Sequence, residues 1–502
     1  MSAKPSVSND PSRQRFLLAV LIGLSVLRLL GLLASPLNLH GDEAQYWAWS
    51  QQLDWGYFSK PPMIAWVIAA TTSVFGHAEW GVRISSILIH PLTAYLIYRT
   101  GRFVFNERTG VWAALVYFLM PAVWLSSGIV STDVPLLLFW VIALNGFFHL
   151  RETPKWSWAL VLGLGIGFGF LSKYAMLFFL PALLIAALVD PKSRKALISR
   201  YGVFAGILSF TILSPNIWWN KVHDFATLSH TAANANLKGV PIHPGELFEF
   251  IISQLAVFGP VTFILLALAV SKSLQAGLKS KPGLLALFVI SPLSIICLEA
   301  FLSRANANWA VTAYIGGALL VGYFGSRFWR NILKWGVVFN VLFGGFVVLT
   351  GIFPTLANTI GQANGFKRLR GWPETTIKIS KLAMEGHNGR RFQAIATDNR
   401  LVFYDLKFYG IEDSTGLPLY MWKQFAQNTN HADATAPLPP SEIGDPPVLL
   451  INHYDNFHSK FERDFKRLDP LTPIWVDLGG GKIRVLKTYA AYGYTPVTQG
   501  GD

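Results

Sequence analysis

The sequence predicts a polytopic α-helical membrane protein with a C-terminal α/β domain. Two observations predict the membrane part. Of 502 residues, 52% are hydrophobic and only 14% charged. Apolar runs recur from Phe16 to Thr350, each near the about 17–25 residues that a bilayer-crossing helix needs. The basic residues fall in short loops between these runs, as they do in cytoplasmic loops. A third observation predicts the second part: hydropathy drops after Pro354, and short strand-like runs follow.

Taken in order, Lys4, Arg13 and Arg15 precede the first apolar segment and set the N-terminus in the cytoplasm. That segment is too long for a cleaved signal peptide, ends in no small-residue cleavage site, and is followed by further spans. Basic loops then recur at Arg99, Arg102 and Arg108, at Arg151 and Lys155, and at Lys192, Arg194, Lys195 and Arg200. Lys272, Lys279 and Lys281 follow, then Arg327, Arg330 and Lys334. With all of these cytoplasmic, one hairpin crosses between each neighbouring pair. The spans are then 16–36, 81–98, 110–127, 134–150, 157–171, 174–189, 201–217, 249–270, 284–302, 308–325 and 332–352. The stretch Pro62–Phe75 is short for a span and reads as a helix at the outer face. About 11–13 transmembrane helices are consistent with this pattern.

The net charge of +14 raises the question of nucleic acid, but its clustering in short loops argues against that partner. Cys297 is the one cysteine, so no disulfide can hold an exported domain. After Pro354, Gln393–Thr397 and Val448–Ile451 read as short buried strands. Asn456–Leu468 reads as an amphipathic helix and Lys482–Tyr489 as another strand. Residues 1–353 thus form the membrane domain, with a first outer loop at 37–80, and 354–502 form a periplasmic α/β domain.

The topology gathers Asp42, Lys60, Asp133, Lys173, His223, His243 and Arg304 on the outer side. Asp42 fits a helix N-cap, with Gln45 completing a capping box, and Glu43 fits a first-turn acid. Tyr46, Trp49 and Leu53 follow at helical spacing. Trp47, Trp55, Tyr57 and Trp66 suit either an interfacial belt or the wall of an isoprenoid or sugar site. Lys60 precedes two prolines, which stiffen the chain and present the lysine from a kink. It is either a snorkelling lysine or a charge for a phosphate. Asp133 stands at a helix start that Thr132 or Ser131 can cap. Lys173 interrupts two apolar runs, and an ionisable group there is a functional candidate. Arg304 ends a span.

The segments "GDEAQYW…YFSKPPMIAW", "STDVPLLLFW", "GFLSKYAMLFF", "SRANANWA" and "KRLRGWPE" occur in this order. Together they resemble the dolichyl-phosphate-mannose mannosyltransferase-like group of bacterial glycosyltransferases with the GT-C fold. That group includes the aminoarabinose lipid A transferases and the rhizobial lipopolysaccharide core galacturonosyltransferases. The resemblance implies a polyprenyl-phosphate-linked sugar donor, a lipopolysaccharide or lipid A acceptor, inversion at C1, and work at the periplasmic face of the inner membrane among membrane lipids. It maps the family's acids onto Asp42, with Glu43 beside it, and onto Asp133, and its lysine onto Lys60. The aminoarabinose enzymes carry a glutamate, able to help hold a divalent metal, where this chain has Ser59.

On this reading Asp42 is the general base, and Asp133 its alternative or partner. Lys60, with Lys173 or Arg304, stabilises the leaving phosphate. Glu43, Tyr57 and Tyr174 support them. No metal ligand is identified, although the resemblance keeps a divalent metal as a candidate cofactor. Lys60, Lys173, Lys238 and Arg304 leave positive charge to spare, so a galacturonate or neutral hexose is favoured over an amino sugar, with Arg304 gripping a carboxylate. A transporter or flippase of a lipid-linked precursor is the alternative, and a binding-only receptor a third reading.

Overall fold

Apolar segments fold as helices because hydrocarbon offers no partner for a bare backbone, which must satisfy itself within the segment. The computed structural model describes residues 11–235, 242–454 and 458–496. Every predicted span overlaps helix, although 110–127 and 249–270 are broken, 16–36 outruns its helix at Leu33, and 308–325 becomes α-helical only from Ala313. Among the described residues five helices are long and apolar enough to cross a membrane: Pro11–Leu33, Asp133–Glu152, Arg200–Val222, Lys281–Leu302 and Arg330–Ile352. Two bent pairs, Tyr174–Val189 with Pro191–Leu197 and Pro244–Phe258 with Pro260–Gln275, raise the number to seven if each is one span. The chain is a multi-pass membrane protein.

That number is below the expected one for local reasons. Pro121 divides one expected span into Glu107–Phe118 and Pro121–Ser126. Gly259, at φ 94°, and Pro260 bend another. Trp156–Ser172 has only 17 residues. The stretch expected as a short non-spanning helix is helical over Met63–Phe75.

The C-terminal chain builds a six-stranded sheet: β1 (Ala394–Thr397), β2 (Leu419–Met421), β3 (Val448–Asn452), β4 (Phe465–Pro470), β5 (Ile474–Gly479) and β6 (Lys482–Tyr494). The order is β2-β1-β3-β6-β4, with β5 also on β6. Strand β1 is parallel to both neighbours, which requires crossovers, and the helix Arg400–Phe408 begins one of them. β1 and β3 are buried at every position, as strands covered on both faces are. The helix expected over Asn456–Leu468 is His458–Asp464, and the chain turns to strand at Phe465. There Phe465 and Leu468 pair with Tyr494 and Ala491 of β6, a tertiary ladder that overrides local helical periodicity. Residues 455–457, at the start of that expected helix, lie outside the described residues.

The loop at 37–80 and this sheet share one apolar core. Leu39, Tyr46, Trp49, Tyr57 and Ile64 pack with Trp372, Ile395, Phe403 and Ile451. The Asn38 carboxamide oxygen takes the Trp372 N–H at 3.1 Å, and the Tyr409 hydroxyl takes the Leu39 N–H at 3.0 Å. Residues far apart in the chain thus frame the loop from both sides.

Candidate active site

The helix Gly41–Ser50 carries the first acid. Its cap is His40, not Asp42: His40 Nδ1 accepts the Asp42 N–H at 3.2 Å, and Glu43 accepts the His40 N–H at 2.9 Å. The capping box therefore uses Glu43 in place of Gln45, because the helix starts one residue before Asp42. Two side chains are released by this shift. The Asp42 carboxylate faces outward, and Gln45 reaches Arg400. Trp49 stacks on Tyr57 at 4.6 Å, while Leu53, beyond the helix end, is exposed.

Glu43 is buried and locks the loop. Its oxygens accept from Arg83 Nε and Nη2 at 2.9 and 2.7 Å, and Oε1 also takes the Val130 N–H at 2.9 Å. Arg83 spends its other donors on the Leu37 and Asn38 carbonyls. One glutamate thus ties the Asp42 helix to the loop that leads into Asp133.

Asp133 begins the helix Asp133–Glu152, and Thr132 stands at its cap position without a side-chain cap bond. Asp133 is not spent on the helix end either. Oδ1 accepts from Lys173 Nζ at 2.7 Å and Oδ2 from Asn308 Nδ2 at 2.7 Å. Lys173 has an extended backbone that ends the helix Trp156–Ser172, so its side chain leaves the apolar run toward the acid.

Lys60 follows a tight turn in which the Tyr57 N–H donates to the Lys60 carbonyl at 3.1 Å. Its ammonium is half-buried and, among the described residues, has no hydrogen bond or ion pair. Burial and the Lys173 charge push it below the usual lysine range, with Asp133 and Asp42 pulling the other way. Burial pushes the Asp42 carboxyl up, but Arg400, His40 and Lys60 together outweigh it and hold it below the usual range. Asp42, Lys60, Asp133 and Lys173 therefore form one electrostatic cluster, as the sequence suggested.

Arg304 is exposed and has no hydrogen bond or ion pair among the described residues. The same segment reaches the cluster through Asn308 instead. Lys238 lies outside the described residues. Sequence reasoning missed Arg400, whose Nη1 donates to Asp42 Oδ1 at 2.9 Å. A signal existed: Arg400 opens a helix just past the end of β1, and the carboxyl ends of parallel strands are where open α/β sheets bind ligands. Gly41 makes this approach possible. A Cβ there would lie 2.7 Å from Leu401 Cβ, so the two helices meet closely beside the Asp42–Arg400 pair.

Two cavities are lined by chain neighbours of the cluster, Tyr174 beside Lys173 and Phe58 near Lys60, but not by Asp42, Lys60, Asp133 or Lys173 themselves. One, of about 640 Å³, is walled by Phe170, Tyr174, Leu213, Ile217, Leu228 and Ile295. The Tyr174 hydroxyl donates to Asn216 at 2.7 Å on its rim. The other, of about 1390 Å³, lies between the first loop, the Trp219–His230 hairpin and the C-terminal sheet's helices, with Phe58, His230, Tyr404, Lys407 and His431 on its walls. The described residues hold no group of three or more His, Cys, Asp or Glu side chains suited to a cation. Both cluster acids are engaged by basic or amide groups. These residues do not fit a resident divalent metal.

A family profile described as dolichyl-phosphate-mannose-protein mannosyltransferase matches residues 59–219. The chain is 36% identical over 403 residues to the lipid A galacturonosyltransferase RgtD of Rhizobium johnstonii, covering 79% of this chain and 83% of that protein. It is 30% identical over 210 residues to an undecaprenyl phosphate-alpha-4-amino-4-deoxy-L-arabinose arabinosyl transferase of Pseudomonas aeruginosa, covering 38% of each chain. In fold it is similar to ArnT from Cupriavidus metallidurans bound to undecaprenyl phosphate. The TM-score is 0.64, with 14% identity over 94% of this chain and 97% of that one.

Proposed function

The chain belongs to the dolichyl-phosphate-mannose-protein mannosyltransferase-like family of membrane glycosyltransferases, and on that premise we propose that it moves galacturonate from a polyprenyl phosphate to lipid A. The work is done at the periplasmic face of the bacterial inner membrane. Residues 1–353 form the membrane catalytic part, and 354–502 form a periplasmic domain that completes the site.

The supporting observation is Lys60: an ammonium without a bonded partner among the described residues, half-buried, depressed by burial and by Lys173, and only partly offset by the charges of Asp133 and Asp42. An anion beside it relieves both penalties. The donor phosphate supplies that anion, and the apolar cavity next to Tyr174 takes the first isoprene units. The acceptor hydroxyl attacks C1 from the larger cavity. The C1–O bond to phosphate breaks, and its electron pair stays on the phosphate, where Lys60 and Lys173 stabilise the added charge. The new C1–O bond forms from the acceptor oxygen, whose proton passes to Asp42. Asp133 holds Lys173 in place. Asp42 is a weak base under Arg400, which suits proton transfer late in the step, when the acceptor oxygen has become acidic.

The test is direct. Purified full-length protein in detergent is given polyprenyl-phosphate galacturonate and lipid A, and products are read by mass spectrometry. The expected result is galacturonate-bearing lipid A and free polyprenyl phosphate without a second compartment, which a transporter cannot produce. Preferred use of an aminoarabinose donor would reject the sugar assignment.

A further inference from the structure

Arg400 is only half engaged. Nη1 serves both Asp42 Oδ1 and Gln45 Oε1. Nε and Nη2 have no hydrogen bond or ion pair among the described residues, and the side chain is 40% exposed. That leaves one edge of the guanidinium open, and this edge presents two parallel donors of the kind that grip a carboxylate. It is bonded to Asp42, and the charges of both act on Lys60, so it belongs to the same charged cluster as the phosphate cation. The neighbouring cations are committed elsewhere: Lys173 to Asp133 at 2.7 Å, Lys407 to Glu412 at 3.7 Å, and Lys423 to the Ala426 carbonyl at 3.1 Å.

We propose that Arg400 selects the acidic sugar, its open Nε/Nη2 edge binding the donor's carboxylate while Nη1 keeps Asp42 beside the reacting ring. This rests on the transferase reading above, with the donor phosphate at Lys60. One guanidinium then bridges two carboxylates, one from the loop and one from the substrate. A neutral hexose offers only a hydroxyl to that edge. An amino sugar adds a cation next to Arg400 and Lys60, and is rejected by repulsion as well as by lost attraction. Specificity for the sugar thus comes from the C-terminal domain, and attachment of the lipid phosphate from the first loop.

The test uses full-length wild type and the Arg400→Gln and Arg400→Lys variants, with lipid A as acceptor. The donors are undecaprenyl-phosphate galacturonate and its methyl ester, which keeps the shape and removes the charge. Wild type is expected to favour the acid in kcat/KM. In Arg400→Gln the loss for the acid should exceed the loss for the ester by about 10–100-fold, the scale of charge-assisted hydrogen bonds, and should lie mainly in KM. Arg400→Lys, which keeps the charge without the fork, should fall between. Equal losses for acid and ester, carried by kcat, would overturn the proposal and leave Arg400 as a positioning residue for Asp42. So would a variant that folds and keeps the wild-type preference. Wild-type protein that turned over neither donor would overturn the transferase reading itself, and this proposal with it.

Discussion

Glu43 binds Arg83 through both carboxylate oxygens, at 2.9 and 2.7 Å, with each side chain at most 3% exposed. Removing one partner of such a pair strands the other charge in the interior, at a cost of about 3–5 kcal/mol. Glu43→Gln should therefore lower the thermal midpoint of purified protein and abolish transfer together. An unchanged midpoint would show that the pair is dispensable to the loop.

Asp42→Asn behaves differently, because His40 caps the helix and Asp42 does not. The fold should survive, with a thermal midpoint near wild type, while transfer falls by about 100-fold, a common scale for a lost general base. Turnover within a few-fold of wild type would remove Asp42 from the chemistry.

Arg400, His40 and Lys60 act on Asp42 and together outweigh burial to depress its carboxyl. A group depressed on folding adds stability above its unfolded value and loses it as pH falls through the folded one. Transfer that needs ionised Asp42 should thus persist into mildly acidic buffer and fail only below the ordinary carboxylate range. In Arg400→Gln the acid limb of kcat should move to higher pH. Burial and Lys173 hold Lys60 of the free protein below the lysine range, so the alkaline limb of kcat/KM should come earlier than for a free lysine. Superimposable profiles of wild type and Arg400→Gln would separate Arg400 from the ionisation of Asp42.

Asp133 and Lys173 meet at 2.7 Å and should act as a unit. Asp133→Asn and Lys173→Met are each expected to cut transfer sharply, and the double variant to lose less than the sum. A coupling of about 0.5–3 kcal/mol is ordinary for residues in contact. Strict additivity in a double-mutant cycle would mean that the two serve separate steps.

Orientation can be read with cysteines in a Cys297→Ala background. Asn106→Cys, Lys192→Cys and Gln275→Cys are expected to be protected from an impermeant thiol reagent in intact spheroplasts, and Glu442→Cys to be labelled. Lys192 is preferred to Ser193, which is buried against Asp190. Labelling of position 275 from outside with position 442 protected would invert the topology.

Much of this was legible in the sequence. Asp42, Lys60, Asp133 and Lys173 break an apolar background, and a charge in such a setting is visible without a structure. The buried strands at 394–397 and 448–451 were legible for the same reason, being short apolar runs in a polar stretch. What escaped was pairing across distance. Arg400 reads locally as one more surface arginine at a helix start, and Asn308 as one more polar residue in a loop. Each acquires meaning only from the acid it meets. The His40 cap escaped because histidine is a rare cap, and a two-residue shift of the helix start reassigns Asp42, Glu43 and Gln45 together.

Asp42 and Arg400 are separated by 358 residues of chain, and that separation is also an interval in time. At synthesis rates of about 5–20 residues per second, roughly 20–70 s pass between the emergence of one and of the other. Throughout that interval Tyr46, Trp49 and Tyr57 lack the Phe403 side that completes their shared core. A chain that stops short of β1 carries both acids and both lysines but has no finished pocket. The ribosome thus enforces an order in which the power to cut a lipid-linked sugar arrives last, after the membrane helices are already in place.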